Sequence, residues 1–277
     1  MLLMYFVNYK AIVRWVFIIF VFLMKLNYRI IGEGRPVLIF HGLFGMCDNW
    51  LLVAKKLTQA GYKVVLGDLR NHGHSPHNDK HNYSAIASDI AELIADLELI
   101  NPDIVGHSMG GKSALQLLND FPGLIRKAIV VDIAPYQYPI RHRVITEALL
   151  AVDLNVVKSR SEVENILSDQ IADLRTRQFL LKNLYWSSTD QLAWRFNLPA
   201  LHCQIDEVGK PTWPSVQNDT PILFVRGGMS EYVDANRFGE IVQWYPNAEF
   251  TSIEGAGHWV HADNPDELLQ AIEGFLM

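Results

Sequence analysis

From residue 24 onward, short continuous apolar runs alternate with stretches of helical periodicity, and no other feature restricts the fold so much. The runs are Val37-Leu38-Ile39-Phe40, Lys63-Val64-Val65-Leu66, Ile104-Val105, Ala128-Ile129-Val130-Val131, Ile222-Leu223-Phe224-Val225 and Glu249-Phe250-Thr251-Ser252-Ile253. Strands apolar at consecutive positions need cover on both faces, and their alternation with helices generates a mostly parallel sheet, an α/β fold. Met24-Lys25-Leu26-Asn27-Tyr28-Arg29-Ile30 reads as an alternating first strand. Residues 83–100 set Ile86, Ile90, Leu93, Ile94 and Leu97 at helical spacing, with Ser84 as a cap. Asn264-Pro265-Asp266-Glu267 offers a cap, a first-turn proline and a glutamate three residues on, which opens a final helix.

The 277 residues suffice for one substantial core and are short for two catalytic domains. Residues 139–213 interrupt the rhythm: they are helical in pattern, rich in charge and without a strand signal before Pro221. The expected organisation is a core of residues 24–138 and 214–277, with residues 139–213 as a helical cap above the strand ends, where ligands of such sheets bind. Leu149, Leu150, Leu184, Tyr185 and Trp186 could line a pocket under that cap or pack its interior.

Gly106-His107-Ser108-Met109-Gly110 is a G-x-S-x-G sequence between a strand and a helix. Its glycines suit a sharp turn in which Ser108 is strained and any side chain at 106 or 110 would strike neighbouring backbone. A serine hydroxyl is a weak nucleophile at neutral pH and needs a base within hydrogen-bond reach. Gly255-Ala256-Gly257-His258, after the last strand, supplies one in the chain order nucleophile, acid, histidine. His261 is the rival, less well flanked by glycine. For the acid, Gly227-Gly228-Met229-Ser230 carries serine where many such enzymes carry aspartate. Asp132, at the end of the preceding strand, is preferred, with Asp234 second and Glu231 nearby, because adjacent strand ends lie within about 5 Å. The loop His41-Gly42-Leu43-Phe44-Gly45 offers oxyanion donors: the N–H of Leu43 pairs naturally with that of Met109 at the helix start. His41 reads as a structural hydrogen-bonding residue. The histidine-rich segment Asp68-Leu69-Arg70-Asn71-His72-Gly73-His74-Ser75-Pro76-His77 fits no common zinc spacing and reads as a structured loop. Neither a metal nor an organic cofactor is required.

Together these motifs resemble the α/β-hydrolase superfamily and, within it, the small YbfF-like esterases, across residues 24–277. The resemblance rests on His41-Gly42-Leu43-Phe44-Gly45 with Asn49-Trp50, on Asp68-Leu69-Arg70-Asn71-His72-Gly73-His74-Ser75, and on Gly106-His107-Ser108-Met109-Gly110-Gly111-Lys112. It extends through Val131-Asp132-Ile133-Ala134-Pro135, Trp194-Arg195-Phe196-Asn197, Arg226-Gly227-Gly228 and Gly257-His258. It implies a carboxylesterase or acyl-CoA thioesterase with a helical cap, and Asp132 as the acid. A lactonase, a C–C bond hydrolase and a non-catalytic ligand-binding protein are the alternatives.

A formal charge of −6 without long Lys/Arg runs gives no electrostatic reason for nucleic-acid binding and suits a small, mostly neutral ester or thioester. Cys47 and Cys203 are too few for a disulfide framework, which points to a reducing, cytoplasmic setting. Residues 11–24 are almost wholly apolar, with Arg14 the one charge, yet shorter than the roughly 20 residues a spanning helix needs. Residues 1–23 are thus an apolar extension with three readings: an upstream mis-start ahead of Met24, a membrane anchor or interfacial segment, or a cleaved signal.

Overall fold

The structure, a computed structural model, describes residues 24–277; the apolar extension 1–23 lies outside the described residues. A seven-stranded sheet runs in the order β1-β3-β2-β4-β5-β8-β9. Its strands are β1 (Tyr28–Ile31), β2 (Arg35–Phe40), β3 (Tyr62–Gly67), β4 (Asp103–His107), β5 (Ala128–Val131), β8 (Ile222–Gly227) and β9 (Ala248–Ile253). β1 is antiparallel to β3, and the other neighbours are parallel. The helices are α1 (Leu51–Gln59), α2 (Tyr83–Asp96), α3 (Met109–Asp120), α4 (Arg143–Leu150), α5 (Arg160–Ser168), α6 (Leu174–Leu181), α7 (Leu198–Cys203), α8 (Ile205–Gly209), α9 (Phe238–Trp244), α10 (Val260–Asp263) and α11 (Pro265–Leu276).

The doubly apolar strands explain the two cores. Leu38, Phe40, Val65, Ile104, Val130 and Phe224 face one cluster, with residues of α2 and α3. Val37, Ile39, Val64, Val105, Ile129, Val131 and Val225 face the other, with residues of α1 and α11. Successive side chains of a strand point to opposite faces, so the inner runs are apolar on both, whereas the edge strand β9 keeps Glu249, Thr251 and Ser252. The final helix opens as expected, with the Asn264 side chain accepting from Glu267 N–H and Pro265 in the first turn. α2 differs from expectation: its cap is Asn82, which accepts from Ala85 N–H, and not Ser84. Asn82 sits in extended backbone just outside the helix, whereas Ser84 is already inside it, its carbonyl accepting from Ser88 Oγ.

The segment between β5 and β8 corrects a second expectation. It carries five helices, α4 to α8, and also an antiparallel hairpin, β6 (Leu184–Ser188) with β7 (Gln191–Trp194), in a stretch that shows no obvious strand signal. Aromatic residues are good strand formers, and Tyr185, Trp186 and Trp194 flank a polar turn here. Leu184 and Leu192 are buried in the hairpin, and Leu149 is buried in α4.

This segment is seated over the carboxyl ends of the strands by main-chain hydrogen bonds. Asn197 N–H donates to Asn71 O (2.9 Å), Thr212 N–H to Pro135 O (2.7 Å) and Tyr138 N–H to Gly209 O (2.9 Å). Tyr83 Oη donates to Val208 O and Asn183 Nδ2 to Phe44 O. Lys112 of α3 is buried and donates through Nζ to the carbonyls of Tyr136, Gly209 and Lys210, with burial pushing its amine down to about 7. The loop after β3 is equally fixed. Asp68 accepts from Asn27 Nδ2, Cys47 N–H and His74 N–H, and a buried fork-to-fork pair joins Arg70 to Asp89 of α2. His41 has the structural role expected of it, accepting from Leu69 N–H at Nε2 (3.1 Å) and donating from Nδ1 to Gly42 O (2.8 Å). Among the described residues no helix is long and apolar enough to cross a membrane.

His41, His72, His81 and His107 are all at most 3% exposed. Burial lowers each below its ordinary 6.5, His81 to about 3. The unfolded chain therefore takes up these protons below about pH 6.5 while the folded protein does not, so stability holds above pH 7 and is lost on acidification. Urea unfolding at pH 7.5, 6.5 and 5.5 should show an unfolding free energy that falls as the pH drops, with the largest loss at pH 5.5.

Candidate active site

Ser108 lies between β4 and α3 with φ 52° and ψ −117°, a conformation that costs about 1–3 kcal/mol for a non-glycine residue. Glycine makes the surrounding crossing feasible. A Cβ on Gly106 would stand 2.2 Å from Gly110 O, and one on Gly110 would stand 2.6 Å from both Phe40 O and His41 O. The turn lifts Ser108 Oγ to the rim of a cavity of about 410 Å³, whose walls include Leu43, Ile145, Phe179, Leu180, His258 and Trp259. Leu149, Leu150, Leu184, Tyr185 and Trp186, for which the sequence left both pocket lining and packing open, are absent from these walls. Leu149 and Leu184 are taken up in packing.

Three residues far apart in sequence form one hydrogen-bonded line. His258 Nε2 is 3.1 Å from Ser108 Oγ, and His258 Nδ1 is 2.7 Å from Asp132 Oδ2. Asp132 follows β5 with φ 50°, is fully buried, and accepts at Oδ1 from Gly227 N–H (2.9 Å). Its Oδ2 also accepts from Ser230 Oγ (2.5 Å). A buried carboxylate is tolerable only when its lone pairs are met, and here a serine, a backbone amide and the imidazole meet them. Asp234 lies elsewhere: its side chain caps a short 3-10 turn by accepting from Asn236 N–H. His261 stacks on Trp50, with ring centroids 4.6 Å apart.

The imidazole is held from three sides. Tyr232 stacks on it at a centroid distance of 3.9 Å, Asp132 bonds Nδ1, and His107 Nε2 donates to the His258 carbonyl (2.8 Å). Burial keeps His107 neutral, so it brings no like charge to His258. The His41–Gly45 loop lies against Ser108, and a Cβ on Gly42 would approach Ser108 Cβ to 3.1 Å. Leu43 N–H meets no acceptor among the described residues, and Met109 N–H, first in α3, has no partner within the helix.

Comparison with known proteins fits this geometry. A sequence profile of the alpha/beta hydrolase fold matches residues 35–160. A Haemophilus influenzae protein designated esterase/lipase is 40% identical over 88% of this chain and 84% of its own length. The chain belongs to the α/β-hydrolase family. Within the family, Esterase YbfF of Escherichia coli is 34% identical over 91% of this chain and 99% of its own. A solved marine microorganism esterase superposes with a TM-score of 0.88 at 36% identity, covering 91% of this chain and 99% of that one. These relatives make the chain an esterase-type hydrolase.

In this α/β-hydrolase the contribution of Ser230 escapes a reading of the sequence, where it registers only as a missing aspartate; its hydrogen bond to Asp132 gives it a part. Tyr232, two residues on, is equally silent in sequence, since one aromatic in a loop carries no periodic signal. Hydrogen bonds to charged groups are worth about 1.5–3 kcal/mol. Ser230→Ala should therefore lower kcat about tenfold on p-nitrophenyl acetate with little change in KM, and an unchanged kcat would deny Ser230 any influence on the acid.

Proposed function

We propose that this esterase cleaves small carboxylic esters or acyl thioesters through an acyl-enzyme on Ser108. The observation that carries this reading is the unbroken line from Ser108 Oγ to His258 Nε2 and from His258 Nδ1 to the buried Asp132 carboxylate. As Oγ attacks the carbonyl carbon, His258 Nε2 accepts its proton and returns it to the departing oxygen or sulfur. Asp132 holds the ring in the Nδ1–H tautomer and stabilises its cationic form. The N–H groups of Leu43 and Met109 receive the developing oxyanion, with each such donor worth about 10²–10³ in rate. Water, deprotonated by His258, then releases the acid. No step requires a metal or an organic cofactor.

Residues 139–213 act as a cap in this reading, supported by His142, Ile145, Phe179 and Leu180, which come from that segment to wall the cavity. For location the reading is the cytoplasm, supported by Cys47 and Cys203, neither of which forms a disulfide. Membrane contact through residues 1–23 is the alternative, and fractionation of native protein separates the two.

Ser108→Ala should reduce hydrolysis of p-nitrophenyl esters by about 10⁴-fold or more and abolish fluorophosphonate labelling. Retained turnover would remove Ser108 from the mechanism, and a wild type that neither labels nor turns over esters would favour a ligand-binding protein. Asp132→Asn should cost about 10³–10⁴ in kcat, whereas Asp234→Asn should be nearly silent. Because Ser230 Oγ touches Asp132 Oδ2, adding Ser230→Asp to Asp132→Asn should recover part of the loss.

A further inference from the structure

The space beside Ser108 has two unequal lobes. The larger is the cavity of about 410 Å³, whose wall includes Gly257, His258 and Trp259. The smaller holds about 40 Å³ and is walled by Met109, Ile133, Tyr138, Ile205 and Val208, with the exposed Ile140 and Glu231 at its outer side. Ser108 and Tyr232 border both, but His258 borders only the larger.

The chemistry of the acyl-enzyme assigns the lobes. In its formation the Oγ–C bond forms and the C–OR bond breaks, and the proton taken from Oγ passes through His258 Nε2 to the leaving oxygen. That oxygen must lie within hydrogen-bond reach of Nε2, so the alcohol occupies the lobe that His258 borders. Water later enters from the same side, gives its proton to Nε2 and breaks the Oγ–C bond. With the carbonyl oxygen turned to the Leu43 and Met109 amides, the remaining substituent of the carbonyl carbon points away from His258, into the smaller lobe.

Resting on the hydrolase reading above, we infer that this enzyme is selective for short acyl groups, acetyl to butyryl, on comparatively large alcohols, and that the narrow lobe walled by Tyr138, Ile205 and Val208 sets the limit. At about 40 Å³ against about 410 Å³, the small lobe has room for only a short chain beyond the carbonyl carbon. Its walls resist widening. Tyr138 Oη donates to Tyr232 O (2.6 Å) and accepts from Ala134 N–H (2.9 Å), and Ile205 is 1% exposed. At the back, the Gly209 carbonyl is tied to Tyr138 N–H and Lys112 Nζ. The larger lobe falls within the range of pockets that enclose drug-sized ligands, about 300–1,000 Å³.

The test holds the leaving group constant and varies the acyl chain on the full-length protein: p-nitrophenyl acetate, butyrate and octanoate. Acetate and butyrate should exceed octanoate in kcat/KM by tenfold or more. Val208→Ala should raise the octanoate-to-acetate ratio at least fivefold, with Ile140→Ala, at the outer edge of the same lobe, as a second variant should the first fold poorly. Phe179→Ala, in the larger lobe, should leave that ratio where it is. Octanoate turned over as well as acetate, or an acyl preference that follows Phe179 instead of Val208, overturns the inference while fluorophosphonate labelling of Ser108 leaves the hydrolase reading standing. No turnover of any ester together with no labelling overturns both.

Discussion

The close crossing at Gly106 and Gly110 is the constraint on which the rest of the site depends. It lets α3 start within contact of the ends of β2 and β4, with Gly110 pressed on the carbonyls of Phe40 and His41. That contact does three things at once. It turns Ser108 into its strained conformation, sets the Met109 N–H at a free helix start, and fixes the His41–Gly45 loop beside that serine. A methyl group at either glycine would force the helix off the sheet and undo all three. Strain of about 1–3 kcal/mol at one residue is modest beside the burial of two apolar sheet faces.

Behind Ser108, the site is organised around a charge kept out of water. Asp132 has no exposed surface, and its acceptors are met by Gly227 N–H, Ser230 Oγ and His258 Nδ1. Those partners come from β8, from the loop after it and from the loop after β9, so one carboxylate gathers the ends of adjacent strands. The same burial that makes it costly to leave unpaired makes its hold on the imidazole strong. Neutral His107 and the stacked Tyr232 complete a holder that leaves His258 one free nitrogen, directed at Ser108.

Much of this is legible in the sequence where the physical demand is local. The G-x-S-x-G glycines answer a steric problem within five residues, the apolar runs answer burial on both sheet faces, and Asn264-Pro265 answers the needs of a helix start. Non-local demands are less visible. Asp132 and Asp234 both follow central strands, and only the strand register, with Val131 opposite Val225, sets which carboxylate faces His258. Ser230 cannot be recognised as a donor without knowing that Asp132 stands opposite. The β6–β7 hairpin is short and only partly buried, with Leu184 and Leu192 its two buried residues, so it lacks the apolar alternation that marks a strand. The α2 cap is mistaken because Asn82 and Ser84 are both capping residues two positions apart.

The way residues 139–213 are seated has a further consequence. Lys112, Tyr83, Asn71 and Pro135 engage this segment largely through its peptide groups: the carbonyls of Val208, Gly209 and Lys210 and the amides of Asn197 and Thr212. A seat that grips backbone is blind to most side chains placed on it. Pocket-facing positions such as Ile145 and Phe179, which take no part in that grip, can therefore be exchanged without renegotiating how the segment sits, so that in the proposed reading substrate range becomes an interchangeable fitting on a fixed reaction chamber.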